Sequence, residues 1–296
     1  MISYSKLNKL KYVLITPARN EEEFIEKTIQ SVVRQTVLPL KWFIVSDGST
    51  DKTDTIIKHY LKENQWIELI KIPESNRKQR DFASKVYAFN AGQEKARKLD
   101  YDIIGNLDAD ISFDADYFEY LLEKFYKNDR LGVGGTPFKE GKVQYDFRFA
   151  STNHVSGACQ LFRRECFEDI GGYTPLKRGG IDLLAVMTAR MMGWYTQTYS
   201  GKICFHNKVT QTAKKHAWKD YWKSGYHDYL MGSHFVFQLF RSLYHMTNHP
   251  YVLRGSALIL GYIWALVTMP KKYVSRELKQ FRQKEQLNRI QSMLKI

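Results

Sequence analysis

Two aspartates one residue apart stand where a strongly apolar segment ends. The run IIGNL (103–107) reads as a buried strand, and Asp108 and Asp110 follow it, separated by one alanine. In an extended chain such residues face the same way, with Cα atoms roughly 6.6 Å apart. Two carboxylates this close repel each other unless a cation joins them. Mg²⁺ and Mn²⁺ take carboxylate oxygens and often share them with substrate phosphates, so the pair predicts a metal and diphosphate site. The alternative is a solvated turn of helix-capping acids, which is the role expected of Asp114 and Asp116.

Polar residues also follow two earlier apolar runs. YVLIT (12–16) leads into Pro17-Ala18-Arg19, and WFIVS (42–46) leads into Asp47-Gly48. Strands that alternate with helices of ten or more residues predict an α/β fold with a mostly parallel central sheet flanked by helices. Ligands of such sheets bind beyond the carboxyl ends of the strands. The three polar segments are therefore expected to converge on one crevice.

The segments between the strands have helical spacing of their apolar residues. Asn20 is expected to cap the first helix, and a later helix can start at Ser84. After Gly132 the pattern is less regular, with strands expected at GVGGTPF and VSGACQLF and a helix at IDLLAVMTARMMGW. No internal repeat or low-complexity linker is present. We expect one domain over residues 1–215 and a helical region, rich in aromatic and basic residues, over 216–296.

Several segments, in their order and spacing, resemble the family 2 glycosyltransferases, which have the GT-A fold. They are VLITPARNEEEFIEKTIQSVVRQT, FIVSDGSTDKT, AFNAG and IIGNLDADISF, and the resemblance covers about residues 12–193. It implies transfer of a sugar from a nucleotide-diphosphate sugar, a UDP-sugar by preference, to an acceptor hydroxyl. It also implies inversion at the anomeric carbon and Mg²⁺ or Mn²⁺ as the cofactor.

The resemblance implies a role for each matching residue. Asp47 matches the acid that reads the base, and Lys85 matches a basic position near the diphosphate. Asp108 would lie near ribose and metal, and Asp110 would be the principal metal ligand. His206 follows a late strand where some relatives place a further metal or phosphate contact, although a lone histidine is more often structural. The segment that cradles the nucleoside is matched by Thr16, Pro17, Arg19 and Glu21.

The resemblance also implies a general base. An acceptor hydroxyl is a poor nucleophile, and its proton must be removed from the side opposite the leaving diphosphate. Many relatives carry Glu-Asp at the start of a helix after a glycine-rich turn, with the Asp as base. Here Gly179 and Gly180 precede Ile181-Asp182, so Asp182 matches the base while Ile181 replaces the glutamate. The replacement of this glutamate by Ile181 concerns how the acceptor is bound and not which residue is the base. The other interpretation of Asp182 is an acid that complements the helix dipole.

The C-terminal third turns aromatic and then basic. The run Gly255–Met269 has no charged residue, and Arg254 and Lys271 bracket it. It is shorter than the roughly 20 apolar residues that a membrane span needs. It is either a buried helix that packs on the domain or on a dimer partner, or a helix in the membrane interface aided by the basic tail.

Charge and composition restrict the partners. The net charge of +14 suits nucleic acid, an anionic membrane or a phosphorylated substrate. No helix-turn-helix, zinc-finger or RNP pattern occurs, so nucleic acid is not expected. The expected partners are a nucleotide-sugar donor, a glycan or lipid-linked acceptor and a peripheral membrane contact. The polar start of the chain and three cysteines outside any CxxC pattern favour the cytoplasm, including the cytoplasmic face of the membrane.

Two other functions remain open at this level. A nucleotidyltransferase that makes nucleotide-sugars also uses a parallel sheet and a carboxylate-bound metal, but TPARNEEE lacks its glycine-rich loop. An inactive GT-A fold that serves as a membrane-associated glycan-binding scaffold is the second alternative. Within the resemblance, the lack of a QxxRW block and of several long apolar spans favours single addition over processive synthesis.

Overall fold

The structure is a computed structural model, and it describes residues 10–73, 81–141, 143–144, 151–208, 217–247 and 249–294. The chain divides into two compact units, Met1–Val209 and Thr210–Ile296. The boundary expected at residue 215 lies outside the described residues.

The first unit contains two sheets. In chain order the strands are β1 (Tyr12–Ala18), β2 (Lys41–Asp47), β3 (Ile67–Ile72), β4 (Ile103–Leu107), β5 (Ile111–Ser112), β6 (Leu131–Gly135), β7 (Phe138–Glu140), β8 (Val143–Gln144), β9 (Cys159–Arg163), β10 (Tyr195–Thr198) and β11 (Cys204–His206). The larger sheet has the order β10-β6-β9-β4-β1-β2-β3, and the smaller has the order β5-β11-β7-β8.

The larger sheet is mostly parallel, as the sequence predicts. Strand β1 pairs in parallel with β2 and β4, β2 with β3, and β6 with β10. Strand β9 runs antiparallel to both of its neighbours, β4 and β6. The start of β9 therefore lies beside the carboxyl end of β4, and the Asp108 amide donates to the Ala158 carbonyl at 2.9 Å.

Both faces of this sheet are buried, which explains why its strands are almost continuously apolar. Successive residues of a strand point to opposite faces. Leu14 and Ile44 accordingly belong to the core on one face, whereas Ile15 and Val45 belong to the core on the other.

Helices cover these two cores. In chain order they are α1 (Ile25–Val33), α2 (Thr53–Leu61), α3 (Ala83–Ala96), α4 (Tyr117–Lys127), α5 (Arg164–Asp169) and α6 (Ile181–Met191). Helix α1 buries Ile25, Ile29 and Val32 at helical spacing. Helix α3 buries Val86 and Phe89 in the core on the opposite face.

The prediction that Asn20 caps α1 is wrong. The helix begins at Ile25, after a turn in which the amides of Phe24 and Ile25 donate to the Glu21 carbonyl. Asn20 has a positive φ of 51°, and its side-chain oxygen accepts from the Thr50 amide at 2.9 Å. Its role is to join two loops at the carboxyl ends of neighbouring strands, which sequence spacing alone does not show.

The second unit is helical, with α7 (Ala217–Leu230), α8 (Phe235–Met246), α9 (Leu253–Thr268) and α10 (Arg276–Leu294). Polar side chains of α10 hold the turn that follows α7. The Arg282 guanidinium donates to the Met231 carbonyl at 2.8 Å, and the Gln286 amide donates to the Ser233 hydroxyl at 2.9 Å. Within the described ranges, none of the helices has the length and apolar character needed to cross a bilayer.

Candidate active site

Two loops at the carboxyl ends of β1 and β2 are tied to each other. The Glu21 amide donates to the Thr53 hydroxyl at 2.8 Å, and the Glu22 amide donates to the Asp51 carboxylate at 3.1 Å. Together with the bond between Asn20 and Thr50, these contacts fix the loop after β1 against the loop after β2. The polar residues at the two strand ends are thereby held next to each other.

The turn that carries the two aspartates is held by its backbone. The Thr28 hydroxyl of α1 donates to the Ala109 carbonyl at 2.8 Å. The Asp110 carbonyl accepts from the backbone amide of Asn207 at 2.8 Å and from its side chain at 2.9 Å. Because these bonds use main-chain atoms, the two carboxylates remain available for other partners.

Each of the two carboxylates faces a basic side chain. Asp108 forms an ion pair with Lys85, which lies in the first turn of α3. Withdrawal from water raises the pKa of Asp108; the Lys85 charge opposes this rise, and the Asp110 charge adds to it. The pair therefore places a lysine ammonium beside the strand-end carboxylates.

Asp110 meets His206 across the smaller sheet. The His206 Nε2 lies 3.2 Å from the Asp110 carboxylate, and Nδ1 lies 3.6 Å from the Glu140 carboxylate. Strand β11 pairs antiparallel with β5 and parallel with β7, which brings His206 opposite Ile111 on one side and opposite Glu140 on the other. The hydrogen bond to Asp110 raises the pKa of His206. His206 thus lies beside the strand-end carboxylates.

The chemistry of these side chains suits a hard divalent cation, but they are not gathered as a coordination sphere. Among the described residues no group of three or more His, Cys, Asp or Glu side chains is arranged to hold a metal ion. Asp108 and Asp110 offer carboxylate oxygens, the ligands that Mg²⁺ and Mn²⁺ prefer. The buried His206 Nδ1 has no hydrogen-bond partner within the described part of the chain.

A cavity of about 170 Å³ opens at the carboxyl ends of β1, β2 and β4. We call it the strand-end cavity. The predicted site residues that line it are Pro17, Arg19, Glu21, Asp47, Lys85, Asp108 and Asp110. Glu21 of this lining also forms an ion pair with Lys208, whose ammonium lies 2.9 Å from the carboxylate. The three polar segments converge, as the parallel sheet predicts.

The predicted contact of the Thr16 side chain with substrate is wrong. Thr16 is fully buried, and its hydroxyl accepts from the Trp42 indole nitrogen at 2.9 Å. Alternation along β1 places Thr16 on the same face as Leu14, within the core, and away from the strand-end cavity. Its polar atom therefore serves to satisfy a buried tryptophan.

A second cavity of about 370 Å³ adjoins the first. We call it the Asp182 cavity. It shares Lys85 and Asp108 with the strand-end cavity, and Asp182 and His206 also line it. Asp182 lies in the first turn of α6, after Gly179 and Gly180 with φ of 86° and 83°. These left-handed conformations favour glycine and allow the sharp turn that aims the helix N-terminus at the cavity.

One residue, Gly157, connects the two sides of the Asp182 cavity. The Gly157 amide donates to the Asp182 carboxylate at 3.2 Å. The Gly157 carbonyl accepts from the Asn106 side chain at 2.7 Å and from the Lys85 ammonium at 3.5 Å. A side chain at position 157 would meet the Asp182 Cβ at 3.0 Å, so only glycine fits without displacing the carboxylate. Gly157 thus positions Asp182 relative to the Lys85–Asp108 pair.

Three further residues beside the cavities were not predicted from the sequence: Asn106, Glu140 and Gly157. Asn106 is the one polar residue of IIGNL, and a buried polar side chain in a strand usually has a specific partner. That signal could have marked it. Its Oδ1 is buried with no hydrogen-bond partner among the described residues, and the side chain lines the Asp182 cavity. Glu140 and Gly157 lie in segments where no sequence pattern indicates their partners.

Residues 13–156 match the model of glycosyl transferase family 2. That segment of the chain is therefore similar to this family. It is also 31% identical over 173 residues to a poly-beta-1,6-N-acetyl-D-glucosamine synthase of Staphylococcus epidermidis, which covers 51% of this chain and 39% of the relative. A synthase of the same name from Staphylococcus aureus strain COL is 30% identical over the same length. The chain thus matches well under half the length of these curated relatives.

The fold is of the GT-A type, as two solved structures show. A mannosyltransferase from Pyrobaculum calidifontis in complex with GDP-Man and Mn²⁺ has a TM-score of 0.54 at 18% identity, over 87% of this chain and 72% of its own. Residues 1–349 of S. aureus TarS in complex with UDP-GlcNAc have a TM-score of 0.54 at 15% identity, over 86% and 72%.

Replacing Thr16 by valine is expected to destabilise the first unit without weakening nucleotide binding. The change leaves the buried Trp42 indole N–H without an acceptor, which costs about 1–3 kcal/mol. Urea unfolding measures the loss, and calorimetric titration with UDP measures binding. Thr16→Ser keeps the hydroxyl and serves as the control. A stable Thr16→Val protein that no longer binds UDP would restore the substrate role for this side chain.

Proposed function

We propose that this chain is an inverting glycosyltransferase that moves a sugar from a nucleotide-diphosphate sugar to an acceptor hydroxyl during synthesis of a cell-surface glycan or polysaccharide. One observation carries the proposal: Asp182 lines the same cavity as the Lys85–Asp108 pair, so a single sugar can meet the base and the leaving-group side together. The similarity to glycosyl transferase family 2 and the names of the curated relatives support it.

The donor is assigned to the strand-end cavity. Asp47 would accept from the N–H of the base, and a UDP-sugar is the first choice. Pro17, Arg19 and Glu21 would cradle the nucleoside at the end of β1. The solved structures of similar fold hold a nucleotide-sugar, UDP-GlcNAc in one case and GDP-Man in the other, which supports this class of donor without choosing the base.

The diphosphate is assigned to the boundary of the two cavities. The Lys85 ammonium would neutralise charge that builds on the leaving diphosphate. Asp108, Asp110 and His206 are the residues that would hold a divalent cation, which would supply further positive charge there. Two solved structures of similar fold contain Mn²⁺, including GalNAc-T7 with UDP and GalNAc.

The acceptor is assigned to the Asp182 cavity. Asp182 would take the proton from the acceptor hydroxyl as that oxygen attacks the anomeric carbon, from the side opposite the diphosphate. The proton ends on the Asp182 carboxylate, and the bond between the anomeric carbon and the diphosphate oxygen breaks with its electrons passing to the diphosphate. Gly157 holds the base in place through its amide. The acceptor is a glycan, free or lipid-linked.

Asp182→Asn tests the proposal directly. The variant is expected to bind UDP-GlcNAc normally but to lose about 10²–10⁴-fold in sugar transfer, since an amide cannot accept the proton. Transfer is measured as radiolabelled sugar joined to β-1,6-linked N-acetylglucosamine oligomers, a probe chosen from the name of the curated relatives. Product length separates single addition from processive synthesis.

The matched control is Glu165→Gln, which neutralises another first-turn helix acid that is exposed. Equal transfer by the Asp182→Asn and parent proteins would refute the base. Release of pyrophosphate from UTP and a sugar phosphate would instead identify a nucleotidyltransferase. Failure of the parent protein to hydrolyse or transfer any nucleotide-sugar of a broad panel would support the inactive scaffold.

Gly157→Ala is expected to lower turnover by about tenfold while the affinity for UDP-sugar stays unchanged. The new methyl group must push the Asp182 side chain by a few tenths of an ångström, and rates fall steeply with misplacement of a catalytic group. The decisive control is the double variant with Asp182→Asn. Because Asp182→Asn has already removed the base, adding Gly157→Ala should lower turnover no further. An additive loss of turnover would show that Gly157 does not act through Asp182.

Asp110→Asn is expected to abolish the extra thermal stabilisation that Mn²⁺ gives to the complex with UDP. In the parent protein, UDP with Mn²⁺ at about a hundredfold above its dissociation constant should add about 2.7 kcal/mol to the free energy of unfolding. Differential scanning fluorimetry with UDP, with and without Mn²⁺, gives the readout. Asp114→Asn, at a nearby exposed aspartate, is the control. An unchanged Mn²⁺ effect in Asp110→Asn would contradict the metal role.

A further inference from the structure

Helix α8 has an inverted distribution of polar and apolar residues. Gln238 and Ser242 are buried, at 0% and 1% exposure. The large apolar side chains at helical spacing are instead exposed: Phe235, Val236, Leu239, Phe240 and Leu243. A helix of a water-soluble domain normally turns its apolar stripe inward. This exposed stripe therefore indicates a surface that meets an apolar environment.

Helix α9 repeats the pattern. Trp264 and Val267 are 54% and 69% exposed, and Leu260 and Ile263 continue the same stripe. The side chains that α9 buries include the small residues Gly255, Ala257, Gly261 and Ala265. The bulky apolar residues therefore lie outside and many of the small ones inside. We call the exposed stripes of α8 and α9 the apolar faces.

Glycines bring the helix backbones of this unit into direct contact. A Cβ atom on Gly225 of α7 would lie 1.9 Å from the Leu258 carbonyl oxygen of α9. One on Gly261 of α9 would lie 2.0 Å from the Trp222 carbonyl oxygen of α7, and one on Gly255 would lie 2.1 Å from the Ser242 carbonyl oxygen of α8. Close packing through small residues, with large apolar side chains outside, is typical of helices that associate in lipid.

The charges near the apolar faces have one sign. No acidic residue occurs between Asp228 and Glu277, a stretch that includes all of α8 and α9. Basic side chains stand at the ends of α9, with Arg254 in its first turn and Lys271 and Lys272 just after it. Anionic headgroups attract such residues, and no carboxylate in this stretch would repel them.

The length of α9 fixes how it can meet a bilayer. Its 16 residues correspond to about 24 Å, short of the roughly 30 Å of a hydrocarbon core. Exposed Trp264, Trp218 and Tyr251 are of the types that concentrate at the boundary between headgroups and hydrocarbon. This geometry suits helices that lie in the interface.

We propose that the second unit binds the surface of an anionic membrane, with the apolar faces of α8 and α9 inserted at the boundary between headgroups and hydrocarbon. The proposal is independent of sugar transfer. We choose lipid as the partner of the apolar faces because the helices pack through glycine and the flanking side chains are basic.

Flotation of the full chain with vesicles tests the proposal. We expect strong binding to phosphatidylcholine vesicles that contain phosphatidylglycerol, and weaker binding to phosphatidylcholine alone. The double variants Trp264→Ser/Val267→Ser on α9 and Phe240→Ser/Leu243→Ser on α8 should each weaken binding at least about tenfold. Lys271→Gln/Lys272→Gln should remove the preference for phosphatidylglycerol.

The control variant is Leu38→Ser/Leu40→Ser, which removes two leucines of comparable exposure, 45% and 43%, from the first unit. It should bind vesicles like the parent protein. Light scattering reports the oligomeric state of every variant. Failure of the full chain to bind vesicles of either composition would overturn the proposal. A stable dimer that binds no vesicles and dissociates in the α9 variant would show that the apolar faces join two copies of the chain instead.

Discussion

The site depends on a concentration of negative charge at the end of a buried strand. Asp108 and Asp110 follow β4 directly, and withdrawal from water makes the charged form of Asp108 costly. Lys85 and His206 compensate from two different elements, α3 and β11. Removing either partner leaves that carboxylate near another carboxylate without the basic side chain that faces it.

The same arrangement supports the proposal that a diphosphate binds here. Lys85 pairs with Asp108, and His206, when protonated, pairs with Asp110. A diphosphate that brings its own cation would exchange these pairs for metal–carboxylate and lysine–phosphate contacts, with little change in total charge. Such an exchange keeps buried groups paired at each stage, which matters because an unpaired buried charge is far more costly than a rearranged one.

Local sequence patterns predicted those site residues that directly follow a strand in the chain. Apolar runs followed by polar residues located Asp47, Asp108 and Asp110, and the parallel sheet then required them to converge. Thr16 was misplaced because family resemblance outweighed the alternation of β1, which assigns Thr16 to the core face with Leu14. Asn20 was misplaced because its partner, Thr50, lies 30 residues away in the chain.

Pairings between distant segments could not be predicted in this way. The contact of Glu140 with His206 requires β7 and β11 to pair, and both strands are only three residues long. In the second unit, the apolar run from Gly255 was visible in the sequence, but its orientation was not. The close backbone contacts of Gly255 and Gly261 decide which side of α9 faces inward, and hydropathy alone does not contain that information.

Gly157 joins the two halves of the proposed reaction through its two backbone polar groups. Its amide holds Asp182, while its carbonyl accepts from Asn106 and lies 3.5 Å from the Lys85 ammonium. Movement of this residue would release Asp182 and disturb the contacts of Asn106 and Lys85 at the same time. Asn106 opposes such a movement, because its buried amide would then lose its carbonyl acceptor. Because β9 runs antiparallel to β4, its start lies beside the carboxyl end of β4 and places Gly157 next to Asn106 and Asp182. The carboxyl end of a parallel strand would lie there instead.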